Sequence, residues 1–372
     1  MTKRSKPPFR ADHVGSLLRP QALLDARDRH KRKEITADQL RAAEDQAIRD
    51  IVRVQEDAGL ESVTDGEFRR TWWHLDFLEG FTNATVTPPR VKVKFHTHEG
   101  DIDYEPPGLR VDGKLGRPRD IFVDHFKFLK SVTKAAAKQT IPSPSMMHFR
   151  GGRKSIDAAA YPDMAGFYAD LARVYNEEVM ALAAAGCRYL QLDEVNLAYL
   201  CDPKLREQVR TNIGEDPGQL THTYAKLINE TIAGRPADMA VTMHLCRGNF
   251  QSAWVAEGGY DPVAEVLFNE IAVDGYFLEY DDDRSGGFEP LRFVPKGKIV
   301  VLGLITTKLP QLEVKDELKR RIDQAARFVP LDQLALSPQC GFSSTVEGNK
   351  ITSADQLAKM RLVVEVAREV WG

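Results

Sequence analysis

Residues 164–194 read MAGFYADLARVYNEEVMALAAAGCRYLQLDE, and this stretch decides the fold class. Met164–Ala185 carries apolar residues at helical spacing and predicts an amphipathic helix. Tyr189–Glu194 (YLQLDE) follows almost at once and predicts a short strand that ends on two carboxylates. The same unit recurs on both sides. Strand-like runs stand at His13–Leu17, Ser62–Glu67, Thr140–Pro144, Val241–Cys246, Tyr276–Tyr280, Ile299–Ile305 and Leu334–Cys340. Thr36 is placed to cap a helix reaching about Ala58, with Leu40, Ala43, Ala47, Ile51 and Val54 at helical spacing and Gly59 at its end. Further helices are predicted at Gly218–Ile232, Val314–Phe328 and Ser353–Val370.

Eight strands separated by helices predict an α/β chain folded as a (β/α)8 TIM barrel. An open doubly wound sheet is disfavoured, because no glycine-rich phosphate loop follows the first strand. The segment from about 82 to 117 breaks the rhythm with proline, glycine and alternating residues, and predicts one or two hairpins inserted after the second strand. A lid, a packed hairpin and a dimer contact are its three readings. A smaller proline-glycine patch, Ser285–Lys298, joins the sixth and seventh strands. Without internal repeats, residues 1–372 are expected to form a single catalytic domain.

Bulk properties narrow the partners. The 372 residues are 42% hydrophobic and 28% charged, with a formal net charge of -3, as in ordinary globular proteins. Nothing in that balance favours nucleic acid or an anionic membrane. No apolar run approaches the roughly 20 residues of a membrane helix. The basic start has no hydrophobic stretch behind it, so a cytoplasmic location is expected. Four cysteines, Cys187, Cys201, Cys246 and Cys340, are too few for a disulfide scaffold.

In a barrel, chemistry sits at the C-terminal ends of the strands. His244 and Cys246 are two apart on one strand and face the same side, Glu279 ends the next strand, and Cys340 ends the last. Imidazole, thiolate and carboxylate together favour Zn2+ over harder cations. Each residue alone reads first as buried core; the four together at strand ends read as a metal site. Cys187 and Cys201 lack that setting and are assigned to structure. Glu67 and Asp193 can hold a ligand ammonium group, or pair with neighbouring arginines instead. The turn Val14-Gly15-Ser16 can offer backbone N–H groups to a carboxylate. Trp72, Trp73 and Phe149, with His148, can line a pocket for a flat ring or serve as packing.

These motifs resemble cobalamin-independent methionine synthase. The H-x-C of MHLCRG, the glutamate of FLEYD and the cysteine of SPQCGF look like that family's zinc pattern, and HVGS, DGE and LQLDE look like its homocysteine site. The resemblance runs from about Arg10 to the C-terminus and is nearest to the short, single-barrel members. It implies a zinc-dependent S-methyltransferase of methionine biosynthesis, with His244, Cys246, Glu279 and Cys340 as ligands. It also implies Ser16 at the homocysteine carboxylate, and Glu67 and Asp193 at its amino group. The expected partners are a small-molecule thiol and a methyl donor of the 5-methyltetrahydrofolate type, with a homodimer as an option.

The chain departs from that pattern in two places. Lys308 stands where long forms of the family carry a histidine on the seventh strand, and Phe342-Ser343-Ser344 replaces basic residues after the last zinc cysteine. A folate leaving amine needs a proton, for which Asp193, Glu194, His148 and Lys308 are the candidates. A corrinoid protein, a methyl sulfonium compound or an epoxide is the alternative alkyl donor, and a non-catalytic zinc barrel is the reading from another class.

Overall fold

A computed structural model describes residues 4–89, 92–97 and 99–372. In chain order its strands are β1 Ser62–Val63, β2 Thr82–Thr87, β3 Val93–Thr97, β4 Gly100–Tyr104, β5 Gly108–Gly116 and β6 Ala136–Ala137. They continue with β7 Gln139–Pro142, β8 Tyr189–Glu194, β9 Ala240–Leu245, β10 Gly275–Glu279, β11 Ile299–Ile305 and β12 Leu334–Pro338.

The last six strands form one parallel sheet in the order β12-β11-β10-β9-β8-β7. Almost every residue in them is buried, as expected for parallel strands with both faces packed away from water. The covering helices include Met164–Ala184, Pro217–Thr231, Lys315–Ala325 and Ser353–Trp371, each within a few residues of its predicted span. The helix Ala37–Asp57 begins in a capping box, where the Thr36 side chain and Gln39 each satisfy the other's backbone N–H. It buries Ala47, Ile48, Ile51 and Val52.

The first two predicted strands are largely not strands. At His13–Leu17 only the neighbouring Ala11 bridges the sheet, to Leu336. The reason is visible in the carbonyls. His13 O accepts from Lys138 Nζ (2.6 Å), Val14 O from Gln191 Nε2 (2.6 Å) and Gly15 O from the Thr64 hydroxyl (2.6 Å). Side chains have taken the bonds a ladder would use. Ser62–Glu67 is a strand only over Ser62–Val63, paired with β6, and then turns through Gly66 (φ 66°) and Glu67 (φ 63°). The predicted insertion holds two antiparallel pairs, β2 with β5 and β3 with β4; its residues 90, 91 and 98 lie outside the described set.

At the N-terminal end of the sheet, Asp12 and Lys138 form a fully buried ion pair (3.2 Å). Tyr189 and Ser62 hydroxyls and the backbone N–H groups of Phe9 and His13 also donate to the Asp12 carboxylate. The Lys138 ammonium lies 4.1 Å from the Phe277 ring centroid. Both charges there are paired and hydrogen-bonded, so the ion pair is tolerable in a dry interior.

Candidate metal centre and substrate pocket

The sheet register builds the site. Asp193 on β8 is the pairing partner of His244 on β9, so their side chains leave the sheet side by side. Glu279 ends β10 one strand further on. Between β11 and β12 the chains approach closely at Gly303, where a Cβ would stand 2.7 Å from the Gln339 Cα and 2.9 Å from the Leu278 carbonyl oxygen. That close approach carries Cys340 back over the strand ends.

One ligand atom from each of His244, Cys246, Glu279 and Cys340 lies within 4.8 Å of the others, and all four residues are buried. The two sulfurs are 3.6 Å apart. Two thiolates on one tetrahedral zinc, at about 2.3 Å each, stand about 3.8 Å apart, so the pair fits such an ion. His244 turns Nδ1 towards Asp193 (3.5 Å) and Nε2 towards Glu279 (3.8 Å). A carboxylate behind a histidine in this way fixes the ring's orientation at metal sites. Glu279 is held in turn by the Arg247 backbone N–H (3.0 Å), Gln339 Nε2 (3.2 Å) and Arg284 (3.3 Å).

The cluster's charges fit the same use. Burial pushes the Glu279 carboxyl up, but the charges of Lys308, Arg284 and His244 outweigh it and hold it below its ordinary value. The Cys340 thiol is held below its usual value by a hydrogen bond from Cys246, against burial and with help from His244 and Lys308. His244 is raised to about 9, because Asp193, Cys340 and Glu279 overcome the burial that would lower it. Lys308 itself is buried, and its Nζ has no hydrogen-bond partner. By contrast, burial pushes Cys187 up to about 12 and Cys201 up to about 11, and each donates only to a backbone carbonyl.

A pocket opens onto the cluster and is lined by His244, Cys246 and Cys340 together with Ser16, Glu67 and Asp193. Glu67 Oε1 accepts from Thr140 Oγ1 (2.7 Å) and lies 3.2 Å from Arg70, whereas Oε2 is buried with no hydrogen-bond partner. Burial raises the Glu67 carboxyl to about 7, with Arg70 opposing and Asp193 adding to the shift. Its left-handed backbone is uncommon for a non-glycine residue and aims the side chain inward. Ser16 abuts Gly341 so closely that a Cβ there would lie 1.9 Å from Ser16 Oγ. Gly15 does not line the pocket; Val14 and Ser16 on either side of it do.

Trp72 and Trp73 also line the pocket, but four other candidates, Lys308 among them, do not. Phe149 packs against Tyr199 and Tyr224. His148 is buried with Nδ1 2.9 Å from the Tyr224 hydroxyl and Nε2 3.5 Å from Glu215. Glu194 accepts from Ser145 and from the backbone N–H groups of Asn196 and Leu197, which spends its carboxylate on capping the short helix Asn196–Tyr199. Sequence reasoning passed over Phe95, Tyr104, Arg150 and Phe250, which are among the other lining residues. Two of these come from the β3–β4 pair, whose sequence has no chemical signature. Gln339 was also missed, although its place beside Cys340 was a usable signal.

Fold and site together define a buried His-Cys-Glu-Cys centre, competent for zinc, at the floor of a pocket on a parallel α/β sheet. The chain belongs to the cobalamin-independent synthase catalytic-domain family, whose pattern matches residues 9–369. It is 48% identical to the uncharacterized protein YxjH of Bacillus subtilis over 99% of this chain and 96% of that one. It is also similar to a solved structure of a candidate vitamin-B12 independent methionine synthase of Listeria monocytogenes, at 39% identity, with a TM-score of 0.78 and coverage of 99% and 100% of the two chains. A B12-independent methionine synthase of Shewanella sp. W3-18-1, solved in complex with selenomethionine, shares the fold at 20% identity, a TM-score of 0.71 and 97% coverage of both chains. Among the described residues no helix is long and apolar enough to cross a membrane.

Proposed function

We propose that this protein is a zinc-dependent S-methyltransferase that methylates the thiol of homocysteine to give methionine, from a donor of the 5-methyltetrahydrofolate type. The observation that carries the reading is the convergence of four metal-competent side chains beneath a pocket that also presents Ser16, Glu67 and Asp193. His244, Cys246, Glu279 and Cys340 are the residues to hold zinc. When bound, the ion supplies the positive charge that keeps an incoming thiol as its nucleophilic thiolate at neutral pH.

The remaining work falls to the chain. The unpartnered Glu67 Oε2 and the Asp193 carboxylate meet the substrate ammonium, and Ser16 with the turn at 14–16 meets its carboxylate. Held at both ends, the substrate presents its sulfur to the donor methyl in one orientation, which is where much of the rate gain arises. The sulfur–carbon bond forms as the carbon–nitrogen bond of the donor breaks, and the departing nitrogen takes a proton. Asp193 lines the pocket and Lys308 Nζ is free of other bonds, so these two are the proton-handling groups; His148 and Glu194 are committed elsewhere.

A (β/α)8 barrel is the architecture this reading adopts for the single domain. The six-stranded parallel sheet, the β1–β6 pair and the Ala11–Leu336 bridge support it, and Phe95, Tyr104 and Pro106 of the inserted segment line the pocket. A purely structural zinc fits less well, because His244, Cys246 and Cys340 all reach the pocket.

The test is a donor screen on zinc-loaded protein with homocysteine as acceptor. Methionine should form with 5-methyltetrahydrofolate and stop after chelation of the metal. If neither methyltetrahydrofolates, methylcobalamin nor methyl sulfonium compounds yield methionine, the assignment is wrong.

A further inference from the structure

The pocket has two unlike sides. Its inner side carries the carboxylates Glu67 and Asp193. Its outer side is a run of stacked rings, with the Tyr104 centroid 4.3 Å from Phe250 and 5.9 Å from Trp72, both at 28° between planes. Arg150 stands on this pocket as its single lysine or arginine among the described lining residues. Among the described residues its exposed guanidinium has neither a hydrogen-bond acceptor nor a carboxylate partner. It nonetheless shares the pocket wall with these rings and with the buried His74. Burial first, and then Arg150, hold His74 far below its ordinary value, so the imidazole is neutral and adds no second cation.

A guanidinium offers a planar fork of donors that matches a carboxylate, sulfonate or phosphate in two bonds. Beside aromatic walls such bonds lose less to water than on an open surface. We propose that Arg150 is the specificity residue for the second substrate, and that this substrate joins an anionic group to an apolar or flat body lying along the Trp72–Tyr104–Phe250 rings. The inference rests on the methyl-transfer reading, in which the acceptor's own carboxylate is met by Ser16 and not by Arg150.

Calorimetric titration of the full-length protein with 2-naphthoate and with its uncharged counterpart 2-naphthamide tests the assignment without any turnover. The wild type should prefer the anion by roughly tenfold to a hundredfold, the range of a charge-assisted pair. Arg150→Met should remove the preference by weakening 2-naphthoate alone, Arg150→Lys should keep part of it, and homocysteine affinity should stay within about twofold in both. An unchanged preference in Arg150→Met overturns the proposal. So does a matching loss of homocysteine affinity, which would place Arg150 at the acceptor. Because no methyl transfer is measured, a failed donor screen and a failed Arg150 assignment are separate results.

Discussion

Two buried polar clusters sit at opposite ends of the same strands, and they differ in whether their charged groups are paired. Around Asp12 and Lys138, at the N-terminal ends, the carboxylate accepts from hydroxyls and backbone N–H groups and the ammonium is bonded to it and to His13 O. Around the His-Cys-Glu-Cys centre, at the C-terminal ends, Glu67 Oε2 and Lys308 Nζ are buried with no hydrogen-bond partner. A buried polar atom without a partner is costly unless something arrives to satisfy it. The closed cluster therefore reads as architecture and the open one as a place for ligands.

The comparison breaks first at the metal. Replacing both Cys246 and Cys340 by serine removes the two soft ligands and should abolish stoichiometric zinc, where an intact site of this kind contributes on the order of 10 kcal/mol. Metal analysis of purified protein reads this directly, and retained zinc would mean the ion sits elsewhere. At the closed cluster, Lys138→Met strands a buried carboxylate and should cost about 3–5 kcal/mol in denaturant unfolding, with zinc content unchanged. A cost below about 1 kcal/mol would show that Asp12 is satisfied without its partner.

Glu67→Gln keeps the shape of the open cluster and removes its charge. Homocysteine should then bind roughly tenfold to a hundredfold more weakly, while a simple alkyl thiol is little affected. Equal losses for both thiols would remove the ammonium-site role. The smallest effect is a pH slope. Glu67 is raised to about 7 in the folded state, above an unfolded value near 4.3, so the fold favours its protonated form. Its contribution to stability is therefore full below about pH 4 and declines as pH rises to about 7. Ammonium binding runs the other way, because it needs the carboxylate. Homocysteine affinity should climb by up to about tenfold per pH unit below 7 and level off above it, and Glu67→Gln should flatten that slope.

Much was legible before any coordinates. The alternation of helix and strand periods located the six sheet strands from Thr140 onward and five of the long helices within a few residues. His-x-Cys at strand spacing, with polar residues at the ends of two later strands, was enough to nominate the metal centre, because strand periodicity puts alternate side chains on one face. The first two strands were misread, since their apolar pattern survives while their carbonyls bond to side chains instead of a ladder.

What the sequence by itself determined is the identity of the groups: two thiols, an imidazole and three carboxylates at predictable strand ends, and a periodicity that forces a parallel α/β sheet. Which of them work together was decided only by tertiary structure. The register that sets Asp193 beside His244, the close approach at Gly303 and the ring-lined pocket that Arg150 shares all depend on contacts between residues far apart in the chain. Glu194 and His148 show the converse. Their chemistry qualified them, but their carboxylate and imidazole are spent on a helix cap and on Tyr224, which no local pattern records.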